Sequence, residues 1–209
     1  MLLLLSCNSQ KEKTGSTTVA TDTLKAIEPA QPVNAPDSLT INVSPNQLIV
    51  AGKSIGLTAI GQTGADLSKN LGQPDDGDAA MGKSISTWYS KTNPAYKTQV
   101  FSSMQNGTAE DRPKVKSIRI NNPFFQSYEG LKPGSHLKEI LTAYPALLLS
   151  GSYKTANNKT VKVYDDFEKG IAFEINENDS CIGICVHTVN EKAFMQYLPF
   201  ENSFQPVEN

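Results

Sequence analysis

Aromatic residues are missing from the first 87 positions of this 209-residue chain; the eight Phe, seven Tyr and single Trp all lie from Trp88 onward. Large aromatics supply much of the buried area of a core, so the folded mass leans toward the C-terminal side. Cysteine is scarce, and three in the whole chain exclude a disulfide scaffold. No stretch approaches the ~20 apolar residues of a membrane-crossing helix, which excludes that element. Neither charge sign dominates: Lys+Arg 19 against Asp+Glu 21 leaves a formal net charge of -2. With no basic block, nucleic acid is not the expected partner. Gly 14 and Pro 12 are ordinary usage, so neither collagen nor a wholly low-complexity chain fits.

The chain opens Met1-Leu2-Leu3-Leu4-Leu5-Ser6-Cys7. Leu4-Leu5-Ser6-Cys7 resembles the bacterial lipobox, in which the cysteine sulfur receives a diacylglyceryl group and the preceding peptide is removed. The resemblance implies lipidation at Cys7, residues 1–6 as a signal-peptide remnant, and a place in the bacterial cell envelope as an outer-membrane lipoprotein. A basic n-region is missing and the apolar run is short for a full signal, so the expected true start lies upstream. Residues 8–38 are rich in Thr, Ser and Ala, with Pro29, Pro32 and Pro36. Such a stretch buries too little apolar surface to offset its ordering entropy, and 7–39 is expected to be a disordered tether. It would reach roughly 30 Å on average. Asp22-Thr23-Leu24 and Asp37-Ser38-Leu39 also resemble a Gram-negative O-glycosylation pattern, a match as easily had by chance.

From about residue 40 the texture changes, and a unit recurs with a period near 70. The first copy contains Gly61-Gln62-Thr63-Gly64-Ala65-Asp66-Leu67, followed by Leu71, Gly72 and Pro74. Thr63 is a helix cap with Asp66 as its acidic partner three residues on, and Leu67 and Leu71 share a face. Gly72 and Pro74 stop the helix. The second copy contains Gly130-Leu131-Lys132-Pro133-Gly134-Ser135-His136-Leu137, then Ile140, Leu141 and Pro145. Here Ser135 is the expected cap, and Leu137 and Leu141 are the apolar pair. After each helix come three strand-like runs: Ile85–Ser90, Lys97–Ser102 and Val115–Asn121, then Thr160–Tyr164, Ile171–Asn176 and Cys181–His187. β-Branched and aromatic runs between Asn, Gly and Asp turns are hairpin texture.

The fold class expected is therefore α+β: two tandem units, 40–122 and 123–190, each packing helix on a three- to four-stranded antiparallel sheet. A short helix and tail would follow over 191–209. The stretches at 61–75 and 130–140 resemble the BamE (SmpA/OmlA) and β-lactamase-inhibitory-protein superfamily of small exported proteins. That resemblance implies protein binding rather than catalysis.

Local clusters that could carry chemistry are few. Cys181-Ile182-Gly183-Ile184-Cys185-Val186-His187, read as a regular strand, puts both cysteines and His187 on one face. The cysteines would be about 13 Å apart, too far for a disulfide or for one metal ion. A Cys185/His187 nucleophile-base pair has no visible third group to orient it. His136 reads as a solvated first-turn residue. Asp75-Asp76-Gly77-Asp78 lacks the alternation and the distant Glu of a calcium loop and reads as a solvated turn, as does Asp165-Asp166. No metal site and no cofactor is expected.

With Ile118, Ile120, Ile184 and Val186 facing inward, Ser117, Arg119, Cys185 and His187 would face outward on an open sheet face. Trp88 and Tyr164 would join Arg119 and His187 in an interaction face, since Trp, Tyr and Arg are favoured at interfaces; core positions for Trp88 and Tyr164 fit the sequence equally well. The function expected is a non-enzymatic, membrane-anchored interaction module for another envelope protein. The alternative is a binder of small ligands or cell-wall fragments at the cleft between the units, near Pro123-Phe124-Phe125-Gln126-Ser127-Tyr128.

Overall fold

The computed structural model describes residues 43–105, 112–197 and 199–207. The chain divides into Met1–Ser38 and Leu39–Asn209. Cys7, the tether and both glycosylation matches lie outside the described residues. Within the second unit the element order is β1 (Leu48–Val50), β2 (Ser54–Ile55), β3 (Thr58–Ala59), α1 (Gly64–Leu71), β4 (Asp76–Ala80), β5 (Lys83–Tyr89), β6 (Lys97–Ser103) and β7 (Lys114–Ile120). Then come β8 (Gln126–Ser127), α2 (Leu137–Ala143), β9 (Leu148–Lys154), β10 (Thr160–Asp166), β11 (Ile171–Ile175), β12 (Cys181–His187), α3 (Phe194–Tyr197) and β13 (Gln205–Pro206). The expected α+β class is what forms.

Helix α1 starts as its sequence dictates. The Thr63 hydroxyl accepts from the Asp66 backbone N–H at 3.4 Å, and Asp66 Oδ2 accepts from the Thr63 N–H at 2.9 Å. That reciprocal capping satisfies two backbone donors the helix would otherwise orphan. It also holds the Asp66 carboxyl below its usual range. Helix α2 caps differently from expectation. His136, not Ser135, stands at the N-cap, with Nδ1 accepting from Lys138 N–H at 3.2 Å and Glu139 closing the box onto the His136 N–H. Ser135 accepts instead from the Lys132 N–H in the turn before. The apolar pairing of α2 shifts accordingly: Ile140 is fully buried, Leu137 only partly, and Leu141 is exposed.

Nine strands form one antiparallel sheet in the order β13-β9-β10-β11-β12-β7-β6-β5-β4. Four strands after α1 and four after α2 run in mirrored order, and β7 pairs with β12 where they meet. A small second sheet, β3-β2-β1-β8, joins Ile49 to Ser127 in parallel register. One strand and the end of another lay in expected turns. Asp76–Ala80 is an edge strand on β5, closed by Met81 and Gly82, both at positive φ (51° and 74°). Two successive positive-φ residues are what a tight hairpin requires. Gly77 is needed there, because a Cβ would stand 2.6 Å from the Ile85 carbonyl oxygen. Asp165 and Asp166 end β10 and are buried, the turn falling just after them. Strand β9 was not anticipated.

The helices cover one face. Leu67 and Ile140 pack with Val100, Ile118, Ile120, Ile171, Phe173, Ile184 and Val186 in a single cluster. The other face is closed by the tail, residues 191–197 and 199–207. Ala193 and Phe204 are buried, and Phe194 and Phe200 pack beside them over Val161, Val163, Ala172 and Cys185. Gly151 makes the room, since a Cβ there would meet the Phe204 ring at 2.5 Å.

Candidate functional site

The face expected to be open is not. Ser117 and His187 are fully buried, Cys185 likewise, and Arg119 is 7% exposed. An antiparallel sheet can leave one face wet, but here the tail supplies the apolar cover. The four residues expected to share an interaction face divide between opposite sides. Arg119 and His187 lie beneath the tail, whereas Trp88 and Tyr164 pack against the helix-side cluster. The Trp88 indole N–H donates to the Gly72 carbonyl at 3.2 Å. The cysteines separate too. Glu174 pairs with Gly183 and Ile175 with Cys181, so Ile182 is an extra residue that flips the alternation. A bulge of this kind moves every earlier side chain to the other face. Cys181 therefore sits among the helix-side isoleucines and Cys185 beneath the tail.

Under the tail, β6, β7, β9 and β11 bring together a buried polar cluster. Arg119 donates through Nε and Nη2 to both oxygens of Glu174, at 2.5 and 2.9 Å. Nη2 also reaches the Tyr153 hydroxyl at 3.1 Å, and that hydroxyl donates to Glu174 Oε2 at 2.7 Å. Nη1 donates to Gln99 Oε1 at 3.1 Å and to Glu201 Oε1 of the tail at 2.8 Å. Burial opposes the charge on Arg119, but Glu174 overrides it and holds the guanidinium charged. Burial, with Glu174 alongside, pushes the Tyr153 phenol up. Lys97 at the margin is pushed down by burial first and by Arg119 second. A cavity of about 80 Å³ remains beside the guanidinium, lined by Lys97, Gln99, Asn121, Tyr153, Glu174 and Ile182.

Sequence reasoning found Arg119 but missed Glu174, Tyr153 and Glu201. One signal was available: a buried arginine on a strand requires an acid opposite, and Gly183 leaves the space for it. A Cβ on Gly183 would stand 2.7 Å from Glu174 Oε2.

A second polar pair lies further along the same face. His187 Nε2 is 3.0 Å from Asp165 Oδ1, and Nδ1 is 3.0 Å from the Thr188 carbonyl oxygen. Asp165 Oδ2 accepts from the Ala193 N–H at 2.8 Å, tying down the tail. Ser117 stands in register with His187, and its Oγ is buried without a hydrogen-bond partner. The three residue types are those of a hydrolytic triad, but the roles are not filled. A carbonyl only accepts, so Nδ1 donates there, and Nε2 is turned to Asp165 Oδ1. Neither ring nitrogen is left to take a proton from Ser117. Burial pushes the Cys181 thiol up to about 12, which disfavours the thiolate a nucleophile needs.

An open apolar surface lies at the β9 margin. Leu148, Leu149 and Phe167 are exposed at 62%, 36% and 38%. With Phe194 and Val207 of the tail they line a groove of about 320 Å³ that reaches Asp165, with Lys192 at its side. The junction at 123–128 holds exposed Phe124 and Tyr128, while Phe125 turns into the core and Gln126–Ser127 is taken up as β8. Among the described residues, no three His, Cys, Asp or Glu side chains come together as a metal site. No described helix is long and apolar enough to cross a membrane.

No family model matches the chain, and no curated protein matches it either. One solved structure is similar: a DUF4309 family protein, YjgB, from Bacillus subtilis subsp. subtilis str. 168. The identity is 12%, covering 66% of this chain and 88% of that one, with a TM-score of 0.39. A likeness this slight carries no argument about function.

Proposed function

We propose that this chain is a non-enzymatic lipoprotein of the bacterial cell envelope, held to the outer membrane through Cys7, whose folded part binds another envelope protein. The observation that carries the binding role is the β9-margin groove, where Leu148, Leu149 and Phe167 offer apolar anchorage beside Lys192. Partner proteins favour surfaces in which an apolar centre has a polar rim. The internal commitment of His187 and Arg119 to acids of their own chain supports binding over catalysis. The mirrored order of strands around the β7–β12 seam supports the reading of two tandem units related to the BamE-like superfamily.

A photo-crosslinking amino acid at Leu148, in cells expressing the full chain, tests the surface. One discrete adduct that disappears with Phe167→Glu is expected. An adduct indifferent to Phe167→Glu, or none at all, overturns the assignment. Cys7→Ser tests the anchor: the protein should move from the membrane to the soluble fraction, and an unchanged membrane fraction refutes acylation there.

A further inference from the structure

The tail's Glu201 has an unusual position. Glu174 alone satisfies two of the Arg119 donors, so Glu201 is a second carboxylate on one guanidinium. Lys97 and Arg119 are two cations against the single buried acid Glu174, and only the tail's carboxylate brings the cluster to balance. The Phe200 ring lies 5.9 Å from the guanidinium carbon and the Tyr153 ring 5.7 Å from it. Phe200-Glu201 thus presents an aromatic ring and a carboxylate to one arginine, as a bound peptide would.

The regular elements of the tail are short, although Ala193 and Phe204 anchor it. Its last strand pairs with β9 at only two positions, Gln205 to Ser152 and Pro206 to Gly151. Its helix α3 is four residues long, far below what a helix needs to persist alone. The Glu201 side chain is 25% exposed while Arg119 is 8%. Water, and an incoming acid, can therefore reach the carboxylate end of the contact first.

We propose that the Arg119–Lys97 pocket is a carboxylate-recognition site for an acidic, aromatic peptide segment of another protein, and that Glu201 occupies it as a displaceable stand-in. The unfilled cavity beside the guanidinium leaves room for an incoming carboxylate next to the Glu201 contact. Gln99 and Asn121 line it and can orient the incoming group. This site is separate from the β9-margin groove, so either can fail without the other.

The test uses the full chain and a fluorescein-labelled, amidated hexapeptide, Pro-Phe-Glu-Asn-Ser-Phe, with binding read by anisotropy. Glu201→Gln removes the internal competitor and should tighten probe binding by about tenfold or more over the unsubstituted chain. Phe200→Ala, which loosens the tail from the other side, should act in the same direction. A probe carrying Gln in place of Glu should not bind, and Lys97→Met in the Glu201→Gln background should weaken binding by about tenfold. Equal affinity of the Glu and Gln probes overturns the proposal. So does equal affinity of the unsubstituted and Glu201→Gln chains, or no binding to a Glu201→Gln chain whose circular dichroism is unchanged.

Discussion

The two faces of the nine-stranded sheet are covered by opposite strategies. On one, two short helices with local capping signals lay aliphatic side chains onto Ile118, Ile120, Phe173, Ile184 and Val186. On the other, a remote C-terminal segment closes over a smaller apolar cluster and over Arg119, Glu174, Asp165 and His187. The first face gains its stability from burial that needs no partner geometry. The second depends on exact pairing, because a buried charge without its counterion is costly. A sheet face that must hold charges out of water is better covered by a segment able to bring further polar groups, and this tail brings Glu201 and the Ala193 N–H.

The comparison breaks most sharply at Glu174. Glu174→Ala strips Arg119 of its main counterion and should cost about 3–5 kcal/mol in urea unfolding. A cost under about 1 kcal/mol would show that the tail-side cluster is not dry. On the helix side, Ile140→Ala should cost about 2–5 kcal/mol, while Leu141→Ala, one position on, should stay within about 0.5 kcal/mol. Equal costs for the two would mean that α2 is rotated from the orientation described here.

Thiol labelling reads the faces directly. Neither Cys181 nor Cys185 should react in the native protein, as both are buried. Phe204→Ala, which loosens the tail, should speed modification of Cys185 by about tenfold, a change worth about 1.4 kcal/mol, and leave Cys181 unaffected. Parallel acceleration at both would place them on one face and remove the bulge at Ile182. The smallest effect belongs to a cap: Thr63→Ala should cost about 1 kcal/mol, and Thr63→Ser almost nothing, measured by thermal unfolding.

What could be read without the structure followed the range of the interactions. Thr63 with Asp66 is a contact three residues long, and it formed as expected. Six strand runs were legible because β-branched and aromatic residues cluster within each and turn residues lie between them. The cap of α2 was misplaced by one position because His136, rarely thought of as a cap, offered an acceptor where Ser135 pointed back into the preceding turn. The strand Asp76–Ala80 was invisible because nothing in Asp-Gly-Asp-Ala-Ala favours extension; it is a strand only because β5 pairs with it. The same limit hid the site. Arg119 and Glu174 are 55 positions apart, and no local pattern links them.

By itself, then, the sequence determined the α+β class, the start of α1, the inward set Ile118, Ile120, Ile184 and Val186, and the lack of any local catalytic motif. Each of these rests on neighbours within a few residues or on simple alternation. Only the tertiary structure decided that the outward set is buried, that the cysteines face opposite ways, and that Arg119 meets Glu174, Tyr153 and Glu201. The physical reason is common to all three. Burial of a sheet face is fixed by whatever later segment docks on it, and one unpaired residue in a strand, here Ile182, reverses every side chain before it.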